Sequence, residues 1–228
     1  MKHKTTEPLP RLRAHELSSV RGGRTLFEHV SFEVHAGELW QITGANGAGK
    51  STLLRMLAGL MLSSSGRIEF NNQPIQYDRS VYHQQLLFIG HKPAVKAELT
   101  ALENVYWQRR LSGDKTAQQD SSSDWDLLET IGLLGLEDEV TGRLSAGQQR
   151  RVALTRLWHS QAPLWILDEP FTALDVKGIA MLQQRFQTHL GQGGSIVMTS
   201  HQALSLASLN PKQRHLGETY ANAMGAQS

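Results

Sequence analysis

The chain has 228 residues, 39% of them apolar, which is enough for one domain whose core needs no disulfide or metal staple. It has no cysteine, which excludes disulfides, thiol nucleophiles, Cys-ligated zinc, iron–sulfur clusters and haem attached through C-x-x-C-H. Lys and Arg total 23 against 21 Asp and Glu; the net charge of +2 is too small an excess to predict a nucleic-acid partner.

Residues 1–10 are polar, contain two prolines and read as a loose leader. A basic start with no apolar segment after it predicts no signal peptide. The longest apolar run, around Leu53–Leu62, is broken by Arg55 and falls far short of the roughly 20 residues that span a bilayer. Strands are expected over Leu12–Leu17 and Leu26–Val34, the second alternating at Val30, Phe32 and Val34. Leu39–Thr43 reads as a short strand that feeds a glycine-rich loop, and helical spacing follows over Ser51–Leu60. Gly66–Phe70 is expected as a strand, Asn71–Pro74 as a turn and Leu86–Gly90 as a buried strand. Thr100 and Glu103 have capping-box spacing at a helix start. A polar connection, Gly113–Ser123, leads to a helix over Asp124–Leu133. Strands over Leu164–Leu167 and Ser195–Thr199 flank a helix with Ile179, Leu182, Phe186 and Leu190 on one face. The layout predicts a single α/β domain over 11–210, interrupted by a helical insert at about 92–158. Residues 211–228 are weakly patterned and expected to be a loosely ordered tail.

Gly44-Ala45-Asn46-Gly47-Ala48-Gly49-Lys50-Ser51 satisfies G-x-x-x-x-G-K-[ST], with an apolar strand before it and a helix after it. Its glycines let backbone amides approach phosphate oxygens with no Cβ in the way, and the helix start adds partial positive charge. Lys50 is positioned to reach the β- and γ-phosphates of ATP, and Ser51 to ligate Mg²⁺; Thr52, next in the same turn, joins the nucleotide-binding set. Leu164–Leu167 ends in Asp168-Glu169. A carboxylate at a strand end suits a Mg²⁺ contact, which assigns Asp168 to the metal and Glu169 to polarising the attacking water.

Leu144-Ser145-Ala146-Gly147-Gln148-Gln149-Arg150 resembles the signature motif of ATP-binding cassette (ABC) proteins. Ala173-Leu174-Asp175 resembles the D-loop, and Ser200-His201 the switch histidine, all in the family's order. The resemblance implies a P-loop NTPase (RecA-like) core with a small antiparallel β subdomain and an inserted α-helical subdomain. It also implies a head-to-tail homodimer, in which Ser145 and Gly147 complete the partner's ATP site and His201 contacts the γ-phosphate. Two positions depart from the general pattern: His91 stands where the family has the Q-loop glutamine, and Arg21 where it has an adenine-stacking aromatic. A neutral imidazole can accept a hydrogen bond or bind a metal, and a guanidinium plane can stack on a base.

The run Gly90-His91, Lys96 and Leu99–Asn104, with Trp165–Asp175, is similar to the haem-exporter ATPases of bacterial cytochrome c biogenesis. That narrower resemblance implies a peripheral subunit on the cytoplasmic face of the inner membrane. Its partners would be integral-membrane subunits of the cytochrome c maturation complex and, indirectly, a periplasmic haem chaperone. ATP hydrolysis would drive haem export or release of the loaded chaperone. No residue pattern in the chain points to haem by itself. The alternatives are the ATPase of another ABC transporter and a soluble nucleotide-switch protein.

Overall fold

The fold was obtained as a computed structural model, which describes residues 11–112, 122–200 and 209–217. His201, the expected leader 1–10, most of the expected polar connection and residues 218–228 lie outside the described residues. Nine strands and seven α-helices are described.

Strands β1 (Leu12–Arg21), β2 (Arg24–Val34), β4 (Ser65–Phe70) and β5 (Gln73–Pro74) form an antiparallel sheet in the order β2-β1-β4-β5. Gly22 and Gly23, both at positive φ, close the tight β1–β2 hairpin. The second sheet is parallel, in the order β6-β7-β8-β3-β9. It comprises β3 (Leu39–Thr43), β6 (Leu86–Ile89), β7 (Leu164–Asp168), β8 (Ser195–Thr199) and β9 (Lys212–His215). Every residue of β7 and β8 is buried, as a parallel sheet covered on both faces requires.

The two-residue period of β7 divides the core. Leu164 and Ile166 point into one cluster with Leu53 and Leu54 of helix α1 (Lys50–Leu57) and Leu12, Phe27 and Phe32 of the antiparallel sheet. Trp165 and Leu167 point into the other, against Leu182 and Phe186 of helix α7 (Val176–Gly191). A third cluster holds the helical insert together. Ala101 and Val105 of α3 (Ala101–Leu111), Leu127 and Leu128 of α4 (Ser122–Thr130) and Val152 of α5 (Ala146–Leu154) meet there. Helix α3 opens with the expected capping box: Thr100 Oγ1 accepts from the Glu103 amide and the Glu103 carboxylate accepts from the Thr100 amide.

Three features differ from expectation. Helix α1 ends at Leu57, short of Leu60, because Gly59 turns the chain at φ 70°. A short helix, α2 (Arg79–Gln84), is capped by Asp78, whose carboxylate accepts from the Val81 amide at 3.0 Å. Only Tyr82 of α2 is buried, so its hydrophobic pattern is too sparse to read. Finally, Lys212–His215 falls in the expected loose tail yet forms strand β9 on the edge of the parallel sheet. Its residues are mostly exposed and polar, which hides an edge strand from hydropathy. It is held by backbone bonds to β3 and by the Lys212 ammonium on the Glu38 carboxylate.

Candidate nucleotide-binding and hydrolysis site

Parallel strands bring their carboxyl ends to one edge of the sheet, where ligands of open α/β sheets bind. β3 delivers the Gly44–Ser51 loop to that edge, β6 delivers Gly90-His91, β7 delivers Asp168-Glu169 and β8 delivers Ser200. Helix α1 packs against β7 and β8.

The loop depends on glycines at two close approaches. Gly49 sits at φ 92° immediately before α1; a Cβ there would lie 2.9 Å from Phe27 of β2. A Cβ on Gly44, at φ 143°, would lie 2.8 Å from the Leu216 carbonyl beyond β9. The Lys50 ammonium donates to the carbonyls of Gly44 at 2.8 Å and Ala45 at 3.0 Å, drawing the loop around its own cation. Ala45, Asn46 and Gly47 make the outer bend, Gly47 at φ 82°, and Ala48 donates back to Ala45. Ser51 and Thr52 occupy the first turn of α1, with Ser51 exposed.

The carboxylate pair is braced by two residues, Thr199 and Arg150. Asp168 is buried, and its Oδ1 accepts from the Thr199 hydroxyl at 2.7 Å. The same hydroxyl oxygen accepts from the Glu169 amide at 2.9 Å. Glu169 has φ 51°, a left-handed conformation that costs a non-glycine residue roughly 1–3 kcal/mol and persists only where surrounding contacts enforce it. Arg150 supplies such contacts. Its buried guanidinium donates from one nitrogen to the carbonyls of Asp168 at 2.9 Å and Glu169 at 3.0 Å. From the other it donates to the carbonyls of Gly90 at 2.9 Å and His91 at 3.4 Å. Burial pushes the Arg150 pKa below its usual value, with the charges of Asp168 and then Glu169 opposing the shift.

The signature segment forms a helix N-terminus. Ser145 Oγ accepts from the Gln148 amide at 3.2 Å, and Gln148 Oε1 accepts from the Ser145 amide at 2.8 Å, a capping box around α5. Gly147 is required by contact: a Cβ there would lie 2.6 Å from the Ala173 carbonyl. Two residues on, Asp175 caps α7 through the Gly178 amide at 2.8 Å and pairs with Arg151 of α5 at 2.7 Å. The Gly178 amide, then the Arg151 guanidinium, hold the Asp175 carboxyl below the usual range. Helix α5 is therefore fastened to β7 by Arg150 and to the D-loop by Gly147 and Arg151.

Lys50, Ser51, His91, Asp168 and Glu169 share one edge of the parallel sheet, whereas Arg21 ends β1 of the antiparallel sheet. The His91 side chain is exposed, and the residue is tied to the site through its backbone carbonyl. Arg21 lies exposed at the β1–β2 hairpin, its guanidinium donating to the Leu62 carbonyl at 3.5 Å. The sequence reading overlooked Thr199 and gave Arg150 no role. Thr199 sits at the end of the strand beside the acid pair, and that adjacency appears only once β7 and β8 are aligned. Among the described residues, no three His, Cys, Asp or Glu side chains gather as a metal cage. A serine hydroxyl and a single strand-end carboxylate are hard oxygen donors. That set fits Mg²⁺, which is commonly held by one or two carboxylates with substrate phosphates and water.

The family model described as ABC transporter matches residues 27–172, from within strand β2 to the residue before the D-loop. The chain is 63% identical over 207 residues to the cytochrome c biogenesis ATP-binding export protein CcmA of Idiomarina loihiensis, covering 91% of this chain and 93% of that one. It is 48% identical over 210 residues to the protein of the same name from Escherichia coli K12, covering 92% and 98%. An ATP-binding subunit of an ABC transporter is a structural relative at TM-score 0.71 and 28% identity, over 86% of this chain and 81% of that one. An ATP-binding cassette solved as a dimer with ADP and Pi shares the fold at TM-score 0.74 and 22% identity, over 90% and 93%. With a family model matched over residues 27–172 and relatives at 63% and 48% identity covered almost end to end, the chain belongs to the ABC transporter family, among the CcmA cytochrome c biogenesis ATP-binding export proteins.

Proposed function

We propose that this chain is the ATP-hydrolysing subunit of a membrane complex in bacterial cytochrome c biogenesis, coupling hydrolysis to haem export or to release of a haem-loaded chaperone. The observation that carries the hydrolytic part is the Asp168–Glu169 pair, fixed by Thr199 and Arg150 at the sheet edge that also holds the phosphate loop. The haem part rests on the relatives' names and on the 63% identity.

Lys50 and the amides of Gly44–Gly49 bind and orient the phosphates of ATP. Ser51 and Asp168 would hold Mg²⁺, which when bound neutralises charge developing on the phosphates. The Glu169 carboxylate accepts a proton from the attacking water, its backbone held in the aiming conformation. Two copies would pair head to tail, the capped N-terminus of α5 offering Ser145 and the Gly147 amide to the partner's γ-phosphate. His201 would sense that phosphate, Arg21 would stack on the base, and His91 would take the Q-loop role. The helical insert and the segment after His91 would face integral-membrane subunits at the cytoplasmic surface of the inner membrane. No helix among the described residues is long and apolar enough to cross a membrane, which suits a peripheral subunit.

The test begins with Glu169→Gln. ATP affinity is expected to stay within about threefold of wild type while phosphate release falls about 100-fold or more, with the dimer accumulating in ATP. Turnover at the wild-type rate would remove Glu169 from its role. Affinity capture of that variant from detergent-solubilised native membranes, with a haem absorbance scan, then tests the pathway. Recovery of cytochrome c maturation subunits supports it, and recovery of an unrelated permease replaces it.

A further inference from the structure

A basin of about 750 Å³ opens at the end of the parallel sheet away from the nucleotide edge, where Pro163 leads into β7, Gly194 into β8 and Arg11 into β1. Among the described residues its charged lining is Arg11 and Arg185, with His189 beside them and no acidic side chain. Both arginines are half-buried. Each is oriented by one carbonyl: Arg11 donates from Nη1 to Pro163 at 2.7 Å, and Arg185 from Nε to Leu157 of helix α6 (Arg156–His159) at 2.9 Å. The Arg185 guanidinium also lies 4.9 Å from the centre of the Trp165 ring. Burial alone pushes both arginine pKa values down, with no carboxylate opposing either shift. His189 is buried, and among the described residues its Nε2 has no hydrogen-bond partner. The ring is fixed in place: it stacks on Trp165, and a Cβ on Gly194 would run into it. The charges of Arg185 and Arg11 both bear on this ring, so the three groups surround one space.

Two half-buried cations without a counter-ion repel each other and have given up water, a standing cost that an arriving anion removes. Each guanidinium keeps nitrogens beyond the one bound to a carbonyl, and its planar fork matches paired oxygens of a phosphate or carboxylate. A buried imidazole nitrogen with no partner is satisfied when it shares a proton with an oxyanion. The rest of the rim is largely polar and uncharged, with Thr130, Gln161, Thr188 and Gln192 offering hydroxyl and amide donors. An apolar or cationic occupant would leave these donors and both guanidiniums unmatched, so the lining selects a small, negatively charged, hydrogen-bonding ligand. The phosphate loop lies at the carboxyl ends of the strands whose amino ends border this basin, so the two sites are separate.

We propose that this basin binds the oxyanion group of a small molecule, a phosphate or a carboxylate, held by Arg11 and Arg185 against His189. The site stands independently of the hydrolytic reading, because none of its groups belongs to the nucleotide edge.

The test follows the His189 imidazole signals of the full-length chain by NMR, assigned by their loss in His189→Gln. A non-hydrolysable ATP analogue with excess Mg²⁺ fills the phosphate loop throughout. Inorganic phosphate and citrate are titrated separately, each against KCl at matched ionic strength. A saturable shift is expected with at least one of them, and the tighter binder tells a phosphate-bearing ligand from a carboxylate-bearing one. Arg185→Gln and Arg11→Gln should each weaken binding about tenfold or more, and Arg185→Lys, which keeps the charge but loses the fork, should fall between. Thr188→Glu sets a carboxylate at an exposed rim position, one turn along α7 from Arg185, and should abolish the saturable shift. Cooperative melting is the fold control, and if an arginine variant fails to fold, Thr188→Glu decides. Shifts no larger than those in KCl, or binding that survives Thr188→Glu and the arginine changes at wild-type strength, would overturn the proposal. Either result leaves the hydrolytic reading standing, since phosphate release by the wild-type chain is measured separately.

Discussion

The phosphate loop and the carboxylate pair lie at the same edge of the parallel sheet but are held by different means. Lys50 closes on carbonyls only 5 and 6 residues back, so the loop carries its bracing within its own sequence. Asp168 and Glu169 are braced by Arg150, 18 and 19 residues earlier, and by Thr199, 31 and 30 residues later. A locally braced element tolerates changes elsewhere in the fold, and a remotely braced one transmits them. The pair proposed to activate water is thus the part positioned to register what happens at the signature helix and at Gly90-His91.

Substitutions at the two braces should separate these cases. Arg150→Met strips the donor from four carbonyls and should cost about 3 kcal/mol by urea denaturation. Because the Glu169 backbone loses its support, phosphate release should fall more than tenfold while nucleotide affinity in the intact loop changes little. Equal losses of affinity and turnover would mean that the two regions are not held separately. Gly49→Ala is the converse: its Cβ meets Phe27 at 2.9 Å at a positive φ, so about 2 kcal/mol and tenfold or more in nucleotide affinity should be lost. Thr199→Val is milder. It leaves shape intact but takes the hydroxyl from Asp168 and the Glu169 amide, an expected cost of about 1–2 kcal/mol with a several-fold fall in turnover, read by steady-state phosphate release.

The smallest effect at neutral pH belongs to a third region, far along α7. The His189 ring stacks on Trp165 at 3.6 Å between centroids, and burial, with the nearby Arg185 charge, pushes its pKa down to about 4. A folded-state value below the unfolded one means that the unfolded chain takes up the proton first. Stability is therefore complete above about pH 6.5 and falls as pH drops toward 4, by up to about 3 kcal/mol. His189→Gln should flatten the urea midpoint across that window, with Trp165 fluorescence as the probe, and should leave the nucleotide site untouched.

The division between local and remote bracing also explains what the sequence made legible. Gly44–Ser51 and Ser145–Gln148 could be assigned geometry from spacing alone, because the partners lie within the motif, as the capping box at Ser145 illustrates. The strand carrying Asp168 was visible as an apolar run. Thr199 and Arg150 were not assignable, because their partners become neighbours only when β6, β7, β8 and α5 pack. Strand β9 was missed for a related reason: its pairing is made by backbone, and its side chains carry little hydrophobic signal. Helix α2 escaped because one capped turn with a single buried tyrosine has no periodicity to detect.

β9 has a practical consequence. It pairs with β3 on the side opposite β8, so both hydrogen-bonding edges of the strand that feeds the phosphate loop are occupied. A shortened chain ending at residue 210 would keep every recognisable motif yet bare one edge of β3. That edge would offer a ready template for strand addition by a neighbouring molecule, so such a truncation should be prone to self-association during expression.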